Sequence, residues 1–109
     1  MIKNNVKTKC KNKEVVLNSF LSIPNTFTAE IMSEQGYDAL TIDYQHGMIS
    51  FSDLFTMLQS IRSSGVTPIC RVSGLDHAVI SKVMDAGALG IICPMINNEN
   101  DCKQFVQTT

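Results

Sequence analysis

The 109-residue sequence has no tryptophan, only three prolines and no long uninterrupted apolar run. A membrane-spanning helix needs about 20 consecutive, mostly apolar residues, so we expect no transmembrane segment and no membrane partner. The first residues also lack the apolar centre of a secretory signal. With 44% hydrophobic residues the chain has enough apolar side chains for a core, which disfavours disorder.

Paired cysteine motifs are missing as well. The four cysteines stand at widely separated positions without a C-x-x-C pair or partnering histidines, namely Cys10, Cys70, Cys93 and Cys102. This spacing supports neither a zinc site nor a disulfide framework. Cys70 and Cys93 lie inside apolar runs, where cysteine behaves as a small buried hydrophobe. The pattern predicts structural cysteines in a reducing cytoplasm.

Acidic residues are absent from the first 13 positions, which carry five lysines, although the whole chain has a net charge of −1. These lysines are not interleaved with arginine or aromatic residues, so we expect no nucleic-acid partner. We predict that residues 1–13 form a basic, flexible tail. Residues 14–109 are then the folded domain.

Strand-like and helix-like segments alternate from Glu14 onward. The apolar runs have strand length and β-branched content: VVLNSFLSI, ALTIDY, TPICRV and LGIICPM. The segments between them have helical spacing, and each of the first three ends at a glycine, Gly36, Gly65 or Gly87. Glycine suits the left-handed residue that closes a helix. This order predicts an α/β fold with about four parallel βα units.

Two architectures have this order of elements. A small doubly wound, flavodoxin-like domain would be complete at four or five strands, whereas a (β/α)₈ TIM barrel of about 250 residues would be half present. The nucleotide-binding motifs G-x-G-x-x-G and G-x-x-x-x-G-K-[ST] are both missing. We therefore predict the N-terminal half of a (β/α)₈ barrel and retain the doubly wound domain as the alternative.

Chemically useful side chains follow the predicted strands, where the working face of such folds lies. Asp43, Gln45 and His46 follow the second strand, and Arg71 closes the third. Histidine suits proton transfer near neutral pH, although a loop histidine often has no such role. Arg71 matches a carboxylate or a developing enolate oxygen, or it pairs with Asp43 on the neighbouring strand.

Two further residues need a partner or a role. Asp85 sits near the end of the third barrel helix, where a carboxylate opposes the helix dipole, so it requires a cationic or hydrogen-bonding partner such as His46. His77 follows Asp76, which is suited to capping that helix, and we expect it to lie on the surface outside the site.

Several segments together resemble the N-terminal half of the HpcH/HpaI aldolases, a family of metal-dependent, class II pyruvate aldolases. The resemblance spans about residues 17–107 and rests on FLSIPNTFTAEIMSEQGYDALTIDYQHG, PICRV and MDAGALGIICPMINNENDC. It implies a TIM barrel that reversibly cleaves 2-keto-4-hydroxy acids into pyruvate and an aldehyde. It also implies a cytoplasmic homo-oligomer, a trimer or hexamer, when the enzyme is full length.

The resemblance implies roles for individual residues. His46 corresponds to the family's base, Arg71 to the arginine that binds pyruvate and stabilises the enolate, and Asp85 to the aspartate that raises the basicity of the histidine. Asp43 and Gln45 are expected to contact these residues and hold them in place without touching the substrate. Many members have glutamate where this chain has Gln45.

One departure from the family concerns its divalent cation, Mg²⁺ or Mn²⁺ with Co²⁺ or Zn²⁺ as alternatives. The family's metal ligands come from strands beyond the fourth, so we expect none in this chain and place them beyond Thr109. On this view residues 14–109 are a truncated barrel domain. The alternative is a catalytically inactive fragment, or a half-barrel that assembles with itself or with another chain.

Overall fold

A computed structural model describes residues 3–109; Met1 and Ile2 lie outside the described residues. Helices and strands alternate along it after an initial helix. The elements are α1 (Asn5–Lys11), β1 (Asn18–Leu21), α2 (Thr26–Ser33), β2 (Ala39–Asp43), α3 (Phe51–Ser63), β3 (Thr67–Arg71), α4 (His77–Asp85), β4 (Gly90–Ile92) and α5 (Glu99–Thr108). The four predicted strands and the four helices that follow them are therefore present.

The four strands form one parallel sheet in the order β1-β2-β3-β4. In the register, Leu21 lies beside Ile42 and Asp43 lies beside Arg71. Each strand thus neighbours the next one along the chain, and helices α2 to α4 connect them. The carboxyl ends of all four strands meet at one edge of the sheet, as they must when the strands are parallel.

The strand order excludes the doubly wound alternative. A doubly wound sheet reverses its strand order at a switch point, which puts helices on both of its faces. Here the order never reverses, and right-handed crossovers therefore place successive helices on the same side. The sheet is thus wound as in a (β/α)₈ barrel, with helices outside and the other face turned inward.

The core lies between the sheet and the helices. Alternate strand residues such as Leu21, Ile42 and Cys70 join it, together with Leu58 of α3 and Ile80 of α4. Because side chains alternate across a strand, their neighbours in sequence face the inner side. Phe20, Asp43 and Arg71 therefore belong to the inner face, which these helices leave open.

The predicted glycine pattern is confirmed. Gly36, Gly65 and Gly87 have φ values of 84°, 87° and 116°, which are left-handed. Each glycine follows a helix and directs the chain into the next strand. Ser50 and Asp53 form a reciprocal capping box at the start of α3. Among residues 3–109, no helix is long and apolar enough to cross a membrane.

The prediction of a flexible tail over residues 1–13 is wrong for most of that segment. Asn5–Lys11 form α1, and the side chain of Asn4 both accepts a hydrogen bond from Lys7 N–H and donates one to the Leu89 carbonyl at 2.9 Å. Lys9 Nζ lies 2.6 Å from Asp38 Oδ1. These contacts fix α1 to the edge where the strands begin, so the lysine-rich segment belongs to the fold.

Candidate active site

The inner face carries one ion pair where β2 and β3 end. Arg71 Nε donates to Asp43 Oδ1 at 3.0 Å, and Arg71 Nη2 donates to Oδ2 at 2.6 Å. This bidentate geometry is the strong arrangement for an arginine and a carboxylate. The register places Asp43 directly beside Arg71, so the backbone of the sheet holds both partners. The structural pairing considered from the sequence is therefore present.

The electrostatics of the pair match its geometry. The Asp43 side chain is 7% exposed and the Arg71 side chain 27%. The Arg71 guanidinium holds the pKa of the Asp43 carboxyl below its ordinary value, although burial acts in the opposite direction. Asp43 in turn raises the pKa of Arg71. Both groups are thus charged at neutral pH, and one side of the guanidinium is already bound.

The same carboxylate shapes the turn after β2. Asp43 Oδ1 accepts hydrogen bonds from the backbone N–H groups of Gln45 at 3.3 Å and His46 at 3.1 Å. Gly47 then folds back so closely that a Cβ there would lie 2.4 Å from the Asp43 carbonyl oxygen. Any larger residue would push the turn open. The sequence Asp-Tyr-Gln-His-Gly therefore specifies a tight turn anchored on Asp43.

His46 is held at its backbone and free at its ring. Its N–H and Arg71 Nε bind the same oxygen of Asp43, which brings the backbone of the turn beside the guanidinium. The His46 side chain is exposed and forms no hydrogen bond within the described part of the chain. Gln45 is half-buried and contributes only its backbone N–H to Asp43. The structure thus brings Asp43, His46 and Arg71 together.

Asp85 does not join them within one chain. It is the last residue of α4, which starts after β3 ends and stops before β4 begins. Asp85 therefore lies toward the opposite edge of the sheet, separated from Arg71 by about the 13 Å length of a five-residue strand. Its side chain is exposed, and it has no hydrogen-bond partner in residues 3–109.

One neighbour of the site was not found from the sequence. The ring of Phe20 on β1 lies 5.2 Å from the guanidinium carbon of Arg71. The alternation along β1 predicts which residues face inward, so it was the available signal. It could not predict that Phe20 reaches across β2 to β3, since that depends on the curvature of the sheet.

Cys70 is buried as expected from the sequence, whereas Cys10 and Cys102 are exposed. Burial raises the pKa of the Cys70 thiol to about 12, so it stays protonated and is no nucleophile. Cys93 is half-buried, and burial raises its pKa too. All four cysteines are free thiols.

The residues at the strand ends do not fit a complete site for a divalent cation. Asp43 is the acid that closes a strand here, and both of its oxygens already accept hydrogen bonds. No group of three or more histidine, cysteine, aspartate or glutamate side chains suited to a metal ion occurs in residues 3–109. What this arrangement offers chemically is a fixed guanidinium for an anion and, on the adjoining turn, a histidine for a proton.

The sequence of this chain is similar to those of known aldolases. A sequence model of the family described as HpcH/HpaI aldolase/citrate lyase matches residues 17–109. Hydroxypyruvate/pyruvate aldolase of Rhizorhabdus wittichii is 37% identical over 100 residues, which are 92% of this chain and 40% of that enzyme. 2-Dehydro-3,6-dideoxy-6-sulfogluconate aldolase of Pseudomonas putida is 30% identical over 96 residues, which are 88% and 38% of the two chains.

A solved structure agrees with the fold. The crystal structure of an HpcH/HpaI aldolase/citrate lyase family protein from Burkholderia cenocepacia superposes with a TM-score of 0.90 at 26% identity, covering 98% of this chain and 43% of that one. The predicted barrel-type α/β fold is thereby confirmed. The chain spans about two fifths of the length of the curated relatives it matches.

Proposed function

The chain belongs to the HpcH/HpaI aldolase/citrate lyase family, and we propose that it is the N-terminal part of a class II pyruvate aldolase. The proposed enzyme reversibly cleaves 2-keto-4-hydroxy acids into pyruvate and an aldehyde. The observation that carries this proposal is Arg71, which is fixed by Asp43 on one side and lies on the open inner face beside the His46 turn. The names of its aldolase relatives support the same chemistry.

Arg71 supplies the anion-binding part of the proposed mechanism. Cleavage of the C3–C4 bond leaves its electron pair on the three-carbon product, whose keto oxygen becomes an enolate oxygen. A guanidinium has five N–H donors, and Asp43 engages one on Nε and one on Nη2. The remaining donors are available for the carboxylate and the developing enolate oxygen of the substrate. Stabilising charge where it develops lowers the barrier.

His46 is the proposed base. In the cleavage direction its imidazole removes the proton from the 4-hydroxyl group, so that the departing carbon becomes the aldehyde carbonyl. The enolate then takes a proton at C3, which the imidazolium of His46 returns directly or through water, to give pyruvate and the neutral imidazole. Asp43 holds the backbone of this turn and the guanidinium with one carboxylate, which fixes the His46 backbone next to the anion site and leaves the ring free to rotate.

We propose that the active enzyme also uses a divalent cation, Mg²⁺ or Mn²⁺, as its resemblance to class II aldolases implies. When bound, the cation would add positive charge beside the keto oxygen. Its ligands would come from groups other than the residues described above, because these do not form a complete site. The roles proposed for Arg71 and His46 rest on the positions of these two residues and not on the cation.

The role of Asp85 requires a second subunit. Within one chain it lies at the opposite edge of the sheet from His46, and it is exposed on the surface. We therefore propose that Asp85 acts on His46 of a neighbouring copy in a homo-oligomer, a trimer or hexamer. Mixing inactive His46→Ala and Asp85→Ala oligomers would then restore part of the activity, whereas no recovery would contradict this role.

The free cysteines fit a cytoplasmic enzyme.

The base assignment is tested in a polypeptide that joins these residues to the remaining βα units of the barrel. Pyruvate release from 2-keto-4-hydroxy acids is measured with Mg²⁺ or Mn²⁺ present. We expect His46→Ala to lower kcat/KM by about 100-fold or more, as removal of a general base does. His77→Ala is the matched control, since His77 is the other histidine and contacts Thr108 of α5. Equal activity of the two variants would refute the assignment.

A second candidate is a half-barrel that assembles with further βα units on another chain or on a second copy. Large apolar side chains near both outer strands favour it: Phe27 and Ile31 of α2 are 67% and 46% exposed, and Val106 of α5 is 64% exposed. Exposed apolar patches are typical of interfaces. Light scattering on the 109-residue chain tests this. A monomer that binds Mg²⁺ tightly and cleaves keto acids would exclude it.

A further inference from the structure

The Phe20 ring makes an unusual contact for a strand residue. It lies on β1, yet its ring centroid is 5.2 Å from the guanidinium carbon of Arg71 on β3. These strands are not neighbours, because β2 runs between them. Two inter-strand spacings amount to about 9.5 Å, so both side chains lean across β2 to meet. Such an approach requires a concave inner face.

The burial of β2 residues agrees with this arrangement. Thr41 lies beside Phe20 in the strand register and has no solvent exposure, although it faces the inner side. The contact between Phe20 and Arg71 spans β2, the strand that carries Thr41. Phe20 itself remains 47% exposed, so the contact with the guanidinium covers only part of this residue.

The Arg71 guanidinium is consequently held in two different ways. Asp43 binds one edge through Nε and Nη2, while the Phe20 ring lies against the group at cation–π distance. The guanidinium of Arg71 has no hydrogen-bond partner other than Asp43 in the described residues. The N–H groups that Asp43 does not engage are therefore left for an anion on the inner face.

We propose that Phe20 is a positioning residue for Arg71, which holds the guanidinium so that its free N–H edge faces the carboxylate and enolate oxygens of a 2-keto acid. The inference rests on the proposed function of Arg71. Arginine has several rotatable bonds, and Asp43 alone leaves rotation about the shared edge open. Attraction between the ring face and the cation restricts this motion before a ligand arrives. Phe20 thus reduces the ordering that binding would otherwise require.

The test uses the 109-residue chain and two substitutions of Phe20. Phe20→Leu keeps apolar volume but removes the ring, and Phe20→Trp restores a ring with a stronger attraction for cations. Phe27→Leu is the matched control, because Phe27 is an exposed phenylalanine on α2 away from Arg71. Thermal unfolding first establishes that the variants are folded. NMR of the Arg71 Nε–H group then reports its order, and oxalate serves as a small dicarboxylate probe.

We expect Phe20→Leu to increase the mobility of the Arg71 Nε–H group and to raise the Kd for oxalate by about 3- to 10-fold. Phe20→Trp should retain wild-type values, and Phe27→Leu should change neither measurement. Unchanged Arg71 mobility in Phe20→Leu would overturn the inference. The proposed function of Arg71 is tested separately, by the kinetics of Arg71→Lys in the polypeptide that includes the remaining βα units, whereas the NMR measurement decides whether Phe20 positions Arg71.

Discussion

The two ends of β2 carry similar ion pairs that serve different purposes. Asp38 precedes the strand and Asp43 ends it, and each carboxylate lies 2.6 Å from a basic side chain, Lys9 or Arg71. Each also accepts hydrogen bonds from the backbone, Asp38 from Leu17 and Asp43 from the turn after β2. Distance alone would rank the two pairs as equal.

The surroundings of the two pairs differ. The Asp43 side chain is 7% exposed and faces a two-pronged guanidinium from the adjacent strand. The Asp38 side chain is 21% exposed and meets a single ammonium group on a seven-residue helix. Water screens the Asp38 pair more, and lysine offers no fixed fork. The Lys9–Asp38 pair docks α1, whereas the Arg71–Asp43 pair fixes a site on the sheet.

The largest expected contrast between the two ends is in catalysis. Arg71→Lys keeps the charge but removes the two-pronged guanidinium. In the polypeptide that includes the remaining βα units, we expect this variant to lower kcat/KM for keto-acid cleavage by about 100-fold. Lys9→Ala at the other end should leave it unchanged. Steady-state kinetics with both variants checks this. If Arg71→Lys retains most of the wild-type rate, the proposed enolate stabilisation by Arg71 is wrong.

A smaller contrast is expected in stability. Asp43→Asn leaves Arg71 without its charged partner and should lower the free energy of unfolding by about 2 kcal/mol. Asp38→Asn should lower the free energy of unfolding by less, because water can hydrate the Lys9 ammonium group that loses its partner. Urea denaturation at neutral pH measures both. Equal losses would mean that burial and the guanidinium fork do not distinguish the pairs.

The smallest expected effect is a dependence on pH. The pKa of Asp43 is lower in the folded chain than in the unfolded one, because Arg71 binds the carboxylate. The stabilisation is therefore full above the unfolded pKa of about 4 and is lost as the pH falls through the lower folded value. We expect the stability difference between wild type and Asp43→Asn to shrink on acidification. A constant difference from neutral pH into strong acid would exclude this linkage.

The strands, the barrel helices and most of the site were predictable because they rest on local rules. Alternation and apolar runs located the strands, and Gly36, Gly65 and Gly87 marked the ends of three helices. Since parallel strands end at one edge, the convergence of Asp43, His46 and Arg71 followed from their positions. Their proximity is present in the structure, whereas their catalytic roles remain proposals.

Helix α1 could not be predicted in the same way. It is short and lysine-rich, with no apolar face, and such helices are marginal in isolation. Its contacts are with residues far away in the sequence, Asp38 and Leu89. A pattern within residues 1–13 therefore contained no signal for docking, and the basic composition indicated a tail instead.

The sequence by itself determined the succession of βα units, the left-handed glycines between them and the identity of the side chains at the strand ends, because these depend on neighbours in the chain. Tertiary structure alone decided that Asp43 binds Arg71 and the His46 turn together and that Phe20 reaches Arg71 across β2. Those outcomes depend on strand order, sheet curvature and burial. The spacing of residues along a chain does not by itself determine how far a sheet curves or how deeply a side chain is buried.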